Sequence, residues 1–168
     1  MGISSEQRKY VVMETVPSTL ANTVIGGVFA WLVFPKPVAE QRITLWGEQG
    51  FVTGIVFDLV PTIFMITFVT VFFVTCIGRR RLRGGRLAGS AAVPTVLQRA
   101  PQHLLLRMLA FGLLALTLFL PLTLAGLLLL GVHNMTFTPF LVFKLALSAA
   151  IAVTMTPLAV LALLSDDG

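Results

Sequence analysis

Four long apolar stretches divide this sequence, at residues 10–34, 51–77, 104–130 and 139–164. The hydrocarbon core of a bilayer is about 30 Å thick, and a helix needs about 20 apolar residues to cross it, because no water is present there to bind an open backbone. Each stretch meets that length. We therefore expect one all-α domain, an integral membrane four-helix bundle with one span in each stretch.

The composition of the chain also indicates a lipid bilayer as its environment. Charged residues make up 11% of the 168 residues, whereas they make up about a quarter of an average soluble domain. So few charges cannot cover the surface of a water-soluble globule of this length. The first stretch is longer than the apolar region of a secretory signal, which spans about 7–15 residues, and we expect it to remain as a span.

Basic residues are distributed unequally between the connections. The linker between the second and third spans, residues 78–103, opens with four arginines: Arg79, Arg80, Arg81 and Arg83. The connection before the fourth span has no lysine or arginine. Because cytoplasmic loops carry the excess of these residues, both termini are predicted to be cytoplasmic, in the inner membrane of a bacterium. The four arginines are predicted to contact anionic lipid headgroups.

The second and fourth spans share a short pattern. When the sequence is shifted so that Asp58 falls on Lys144, VFDL aligns with VFKL and Gly26 falls on Gly112. Apolar sequences produce such coincidences readily. Two explanations stay open: a tandem repeat of two transmembrane hairpins, related by an axis along the membrane normal, or chance similarity.

Three ionisable residues lie inside the predicted spans: Glu14, Asp58 and Lys144. An Asp or Lys at the centre of a span costs about 2.5–3.5 kcal/mol, so each is a candidate functional residue. Asp58 follows Phe51 at the spacing at which Lys144 follows Phe137, which places the two at equal depth. They form either a working ion pair that opens when a proton or substrate competes for Asp58, or a static bridge, or two side chains that reach the headgroups separately.

A polar stripe accompanies Glu14 along the first span. Ser18, Asn22 and Gly26 follow it at successive helical turns, and three threonines lie beside them: Thr15, Thr19 and Thr23. The stripe is either a water-lined path or binding groove, or a surface for interhelical hydrogen bonds and close packing.

Each span also contains a proline in its interior: Pro17, Pro61, Pro121 and Pro157. A proline inside a helix removes an amide donor and frees a carbonyl, so we expect kinks at these positions. Pro17 follows Glu14 at the spacing at which Pro61 follows Asp58. A loosened turn beside an acid favours proton or cation binding, with Thr62 as a further ligand, although kinked helices without transport are equally consistent with the pattern.

Other chemistry lacks residues to perform it. The single cysteine, Cys76, and two widely separated histidines, His103 and His133, predict neither a metal site nor a bound cofactor. We recognise no catalytic pattern and do not expect an enzyme. The basic linker lies against a membrane and has few aromatic residues for stacking, so we expect no nucleic-acid partner.

Two functions remain open from the sequence. The chain is either a small transporter or channel-like protein, with Glu14 and Asp58 as proton or cation sites and Lys144 as the counter-charge, or a non-catalytic membrane subunit, anchor or assembly factor in which the charges are structural. Because four spans line a path poorly by themselves, we expect a homo-oligomer or a subunit of a larger membrane complex, with the lipid bilayer as the other partner.

Overall fold

The chain is described by a computed structural model, which covers residues 5–33, 42–47, 54–84 and 95–166. Over these residues it forms four long helices, α1 (Ser5–Val33), α2 (Ile55–Arg83), α4 (Leu104–Leu129) and α5 (Phe137–Leu164). A short helix, α3 (Thr95–Gln98), precedes α4. The prediction of an all-helical bundle is confirmed.

Three of the long helices, α2, α4 and α5, are long and apolar enough to cross a membrane. The chain therefore has the helices of a membrane protein. Helix α1 is equally long, at 29 residues, but it is more polar, because Glu14, Ser18, Asn22 and the three threonines interrupt its apolar positions.

Helix α2 continues beyond the predicted end of the second span at Ile77 and reaches Arg83. It ends at Gly84, whose backbone N–H donates to the carbonyls of Arg80 and Leu82. Basic side chains in a last helical turn are favourable because the carbonyl end of the helix carries partial negative charge. The arginines at the start of the predicted linker are therefore part of α2.

The helices pack in the order α1, α5, α2, α4. Helix α1 lies mainly against α5, α4 lies mainly against α2, and α2 and α5 contact each other at the centre. Small residues permit these contacts: a Cβ on Gly26 of α1 would overlap the Ser148 hydroxyl of α5, and one on Gly112 of α4 would lie 2.7 Å from Phe64 of α2. The main contacts thus join helices that are distant in sequence.

Two short strands close one end of the bundle. β1 (Ile43–Thr44) pairs antiparallel with β2 (Asn134–Met135), and the backbone N–H of Leu45 donates to His133 O at 2.8 Å. We call this the strand end, and the opposite end, which carries Arg79 and Arg81, the arginine end. Since β1 precedes α2 and β2 precedes α5, both connections lie at the strand end. Strands of two residues have no periodicity from which a sequence could predict them.

Candidate functional site

Asp58 and Lys144 form a buried ion pair between the two central helices. The Lys144 Nζ atom donates to Asp58 Oδ1 at 2.6 Å, and the side chains are 1% and 5% exposed for Lys144 and Asp58, respectively. The Thr62 hydroxyl lies 3.5 Å from Asp58 Oδ2. The two side chains reach each other and not the outside of the bundle, so the interpretation in which each reaches the headgroups separately does not match the structure.

The helices and their neighbours position this pair. Asp58 lies in the first turn of α2, where the exposed amide groups of the helix favour negative charge. The Lys144 ammonium lies 5.7 Å from the centre of the buried Phe140 ring, a cation–π contact. The two buried charges therefore compensate each other beside an aromatic ring.

The segment 42–47 covers the beginning of α2. The backbone N–H of Val56 donates to Leu45 O at 3.1 Å, and Leu45 is 1% exposed. A Cβ on Gly54 would lie 2.7–2.9 Å from backbone atoms of residues 45–47, so this approach requires glycine. The start of α2, one turn from Asp58, is therefore closed at the strand end by backbone.

The polar stripe of α1 faces α2 and α5. Asn22 Nδ2 donates to Thr70 Oγ1 at 2.8 Å and to Ser18 O at 2.9 Å. Thr156 Oγ1 donates to Ser18 Oγ at 2.9 Å. Asn22 is 3% exposed, and within the described part of the chain its Oδ1 atom accepts no hydrogen bond. The stripe thus makes interhelical hydrogen bonds and leaves one buried acceptor open.

The stripe ends beside the ion pair. Gly26 packs against Ser148, and the Ser148 hydroxyl donates to the backbone carbonyl of Lys144 at 2.8 Å. The three threonines beside the stripe make hydrogen bonds within α1. The hydroxyl of each donates to the backbone carbonyl four residues earlier: Thr15, Thr19 and Thr23.

Glu14 lies at the other end of the stripe and not with Asp58 and Lys144. Its Oε1 atom accepts a hydrogen bond from Arg81 Nη1 at 2.7 Å, and its side chain is 14% exposed. The Arg81 guanidinium lies 5.2 Å from the centre of the Tyr10 ring. The structure therefore places two acid–base pairs, one near each end of the bundle.

A third charged cluster was not predicted from the sequence. Asp166 accepts two hydrogen bonds from Arg107, at 3.1 and 2.5 Å, and one from Arg79 at 3.2 Å. Arg107 is fully buried and also donates to Pro101 O at 2.9 Å. The sequence signal was weak: an acid near the C-terminus and an arginine at the start of the third span, both expected at the same membrane surface.

The four arginines predicted to contact lipid divide into two pairs. Arg79 and Arg81 bind carboxylates of the chain itself. Arg80 and Arg83 are exposed. All four lie at the arginine end, but two of them already have anionic partners.

The remaining predicted residues are placed as follows. Each of the four prolines lies inside a long helix, which continues through it: Pro17, Pro61, Pro121 and Pro157. His103 and His133 are both exposed and lie at the two ends of α4. In the described residues, no group of three or more His, Cys, Asp or Glu side chains is placed to hold a metal ion.

Proton exchange is the chemistry that the Asp58–Lys144 pair can perform. A proton on the Asp58 carboxylate would remove its charge and leave the Lys144 ammonium without compensation in an apolar interior, which is costly.

Comparison with protein-family models, curated proteins and solved structures finds no match to this chain.

Proposed function

We propose that this chain crosses the cytoplasmic membrane of a bacterium four times, with both termini in the cytoplasm. We take α1 as the fourth span, because its apolar side chains form an exposed row opposite the polar stripe: Val12, Val16, Leu20 and Val24 are 56–65% exposed. Such a row is suited to lipid. Both hairpin connections lie at the strand end, and the arginine end carries the basic residues expected at a cytoplasmic surface.

We further propose that the four spans are two tandem hairpins related by an approximate two-fold axis. Helix α1 contacts α5 as α4 contacts α2. Asp58 and Lys144, which meet at the centre, are 86 positions apart, and the same shift relates Gly26 to Gly112. Each of those glycines lies where the first helix of one hairpin approaches the second helix of the other. Equivalent residues meet one another at a two-fold axis.

We propose that the protein acts as a small proton- or cation-linked transporter or channel-like protein centred on Asp58 and Lys144. The observation that carries the proposal is their ion pair, almost completely buried between α2 and α5. A buried ion pair is a poor device for stability, since well-packed apolar residues in its place are often neutral or stabilise a protein by about 1–4 kcal/mol. Ionisable residues inside a membrane indicate function by default.

The Asp58–Lys144 pair can exist in two states, one with the ion pair formed and one with it broken. Protonation of Asp58, or binding of a cation there, leaves Lys144 uncompensated, and breaking a buried pair costs about 3–5 kcal/mol. States that differ by a few kcal/mol are the ones that a ligand can interchange. Separation of α2 from α5 and hydration of the ammonium would relieve that cost.

The polar stripe extends along α1 from near this pair toward the arginine end. Gly26 lies against Ser148, whose hydroxyl donates to the Lys144 carbonyl. Asn22, Ser18 and Glu14 follow at successive turns toward the arginine end, where Arg81 binds Glu14. The stripe supplies hydroxyl and amide groups, and the open Oδ1 atom of Asn22, to a proton or cation moving between the two acids. Glu14 and Asp58 would then alternate as the occupied site.

Flux measured in proteoliposomes tests the proposal. The wild-type protein should carry pH-dependent proton or monovalent-cation flux above the leak of empty liposomes, followed with an entrapped pH-sensitive dye under an imposed potential. Asp58→Asn and Lys144→Met should abolish it. The double variant should abolish it as well and leaves no uncompensated charge, so it separates lost transport from misfolding. Glu6→Gln removes an exposed acid and is the matched control.

Wild-type flux at the leak level, from protein that elutes as a single species, would exclude transport. Retention of wild-type flux by the folded double variant would exclude the pair as its centre.

A second function, that of a non-catalytic membrane subunit, anchor or assembly factor, is supported by the distribution of the charges. Four ion pairs in the described residues join different helices or their ends: Glu14–Arg81, Asp58–Lys144, Asp166–Arg107 and Asp166–Arg79. If the charges only hold helices together, Asp58→Asn should lose assembly, and the exchange of Asp58→Lys with Lys144→Asp should restore it without any flux. The partner would be a second copy of this chain or a larger membrane complex, recovered after crosslinking in membranes.

A further inference from the structure

A cavity at the arginine end is not used by the proposed transport. Its volume is about 120 Å³, and it is lined by residues from the last turns of α2, the segment before α4 and the segment after α5: Arg79, Leu82, Arg83, Gln102 and Asp166. A water molecule occupies about 30 Å³ in the liquid. The cavity therefore has room for a group of several heavy atoms.

The cavity carries an excess of positive charge. Asp166 is in its wall, but this carboxylate already accepts two hydrogen bonds from Arg107 and one from Arg79. Arg107 is buried on the other side of Asp166, so the described residues at this cavity include three guanidinium groups and one carboxylate. Arg83 is exposed, and within the described part of the chain its guanidinium takes part in no hydrogen bond or ion pair. The charge balance favours an anion.

The position of the cavity indicates which anion. Arg79 and Arg83 are separated by one helical turn and therefore lie on the same face of α2. They follow the apolar part of the helix, which ends near Ile77, and the apolar side chain of Leu82 also lines the cavity. In the proposed membrane orientation, this end of α2 lies in the headgroup layer, where the phosphates of a bilayer are. Guanidinium groups bind phosphate oxygens through paired hydrogen bonds.

We propose that this cavity binds the phosphate of an anionic phospholipid, with Arg79 and Arg83 as its donors. Arg79 remains tied to Asp166 and orients the site, while Arg83 supplies the unneutralised charge. The site lies beside Gln102 of the segment before α4, close to the ion pair of Arg107 and Asp166 that joins α4 to the end of α5. The proposal rests on the proposed membrane position of α2 and not on transport.

Native mass spectrometry of the detergent-solubilised protein tests the site. Phosphatidylglycerol should bind with one tight site. Phosphatidylcholine should bind at least about tenfold more weakly, because its quaternary ammonium offsets the phosphate charge and is repelled by the guanidinium groups. Arg83→Gln should weaken binding of phosphatidylglycerol by about tenfold. Arg80→Gln is the matched control: it removes an exposed arginine of the same helix turn that does not line the cavity, and it should change binding by less than about twofold.

Inorganic phosphate supplies the second arm of the experiment. We expect millimolar phosphate not to displace the lipid, because the free ion lacks the acyl chains that lie along α2. Displacement at equal concentrations would overturn the lipid as the occupant and leave a site for soluble phosphate. Equal losses in Arg83→Gln and Arg80→Gln would show general attraction to a basic surface and would overturn the site itself.

Discussion

Arg107 and Asp166 form a two-pronged ion pair in which the arginine is completely buried. Arg107 lies in the first turn of α4, and Asp166 lies just beyond the end of α5. The Nη1 and Nη2 atoms donate to Oδ2 and Oδ1 at 3.1 and 2.5 Å. A guanidinium group stays protonated in proteins, so Arg107 depends on this carboxylate for compensation. Asp166 thus joins α4, α5 and, through Arg79, α2.

Asp166→Asn should lower the free energy of unfolding by about 3 kcal/mol, because it leaves the buried Arg107 without a counter-charge. Equilibrium unfolding in mixed micelles measures the change. Glu6→Gln makes the same change of charge at an exposed position in the first turn of α1 and should lower the free energy of unfolding by less than about 1 kcal/mol. If Asp166→Asn leaves the free energy of unfolding unaltered, the hydrogen bond from Arg107 to the Pro101 carbonyl is enough to compensate the buried guanidinium.

The Asp58–Lys144 pair should behave as one unit in a double-mutant cycle. Each of Asp58→Asn and Lys144→Met leaves a polar or charged partner uncompensated, and Asp58→Asn should cost about 3–5 kcal/mol. The double variant should cost less than the sum of the two by at least about 1 kcal/mol. The same unfolding measurement gives all four values. Additive effects would show that the two side chains do not interact in the membrane protein.

Two glycines of α4 provide a matched test of its packing. A Cβ on Gly112 would lie 2.7 Å from Phe64 of α2, whereas one on Gly126 meets nothing within 4 Å. Gly112→Ala should therefore destabilise the protein by about 1–3 kcal/mol through overpacking. Gly126→Ala should be neutral or stabilise it by up to about 1 kcal/mol, since alanine favours a helix. Equal effects in unfolding experiments would contradict the close contact between α4 and α2.

Cysteine labelling should reveal the proposed orientation. In a Cys76→Ser background, Asn134→Cys at the strand end should react with a membrane-impermeant maleimide in intact cells. Ser5→Cys at the start of α1 should react only after permeabilisation. Both native residues are exposed, so access depends on the side of the membrane. The reverse pattern would invert the topology, and labelling of both in intact cells would show that α1 does not span.

Depth along a helix could be predicted from the sequence, and the direction in which a side chain points could not. Asp58 and Lys144 were expected at equal depth, and opposite charges at equal depth pointed to a pair that the structure then brings together. Glu14 was grouped with them as a candidate proton site, yet it lies at the far end of the stripe with Arg81. That contact depends on how far α2 continues beyond its apolar part and on which face it then presents.

The sequence by itself determined the solvent and the helices of this protein, because hydropathy and helix length are properties of consecutive residues, as the three apolar helices show. Only the tertiary structure decided that α1 packs on α5 and α4 on α2, and that Arg107 is buried with Asp166. Those choices depend on the rotation of each helix about its axis. Rotation is set by the sum of many weak contacts with helices distant in sequence, among them the close approaches at Gly26 and Gly112.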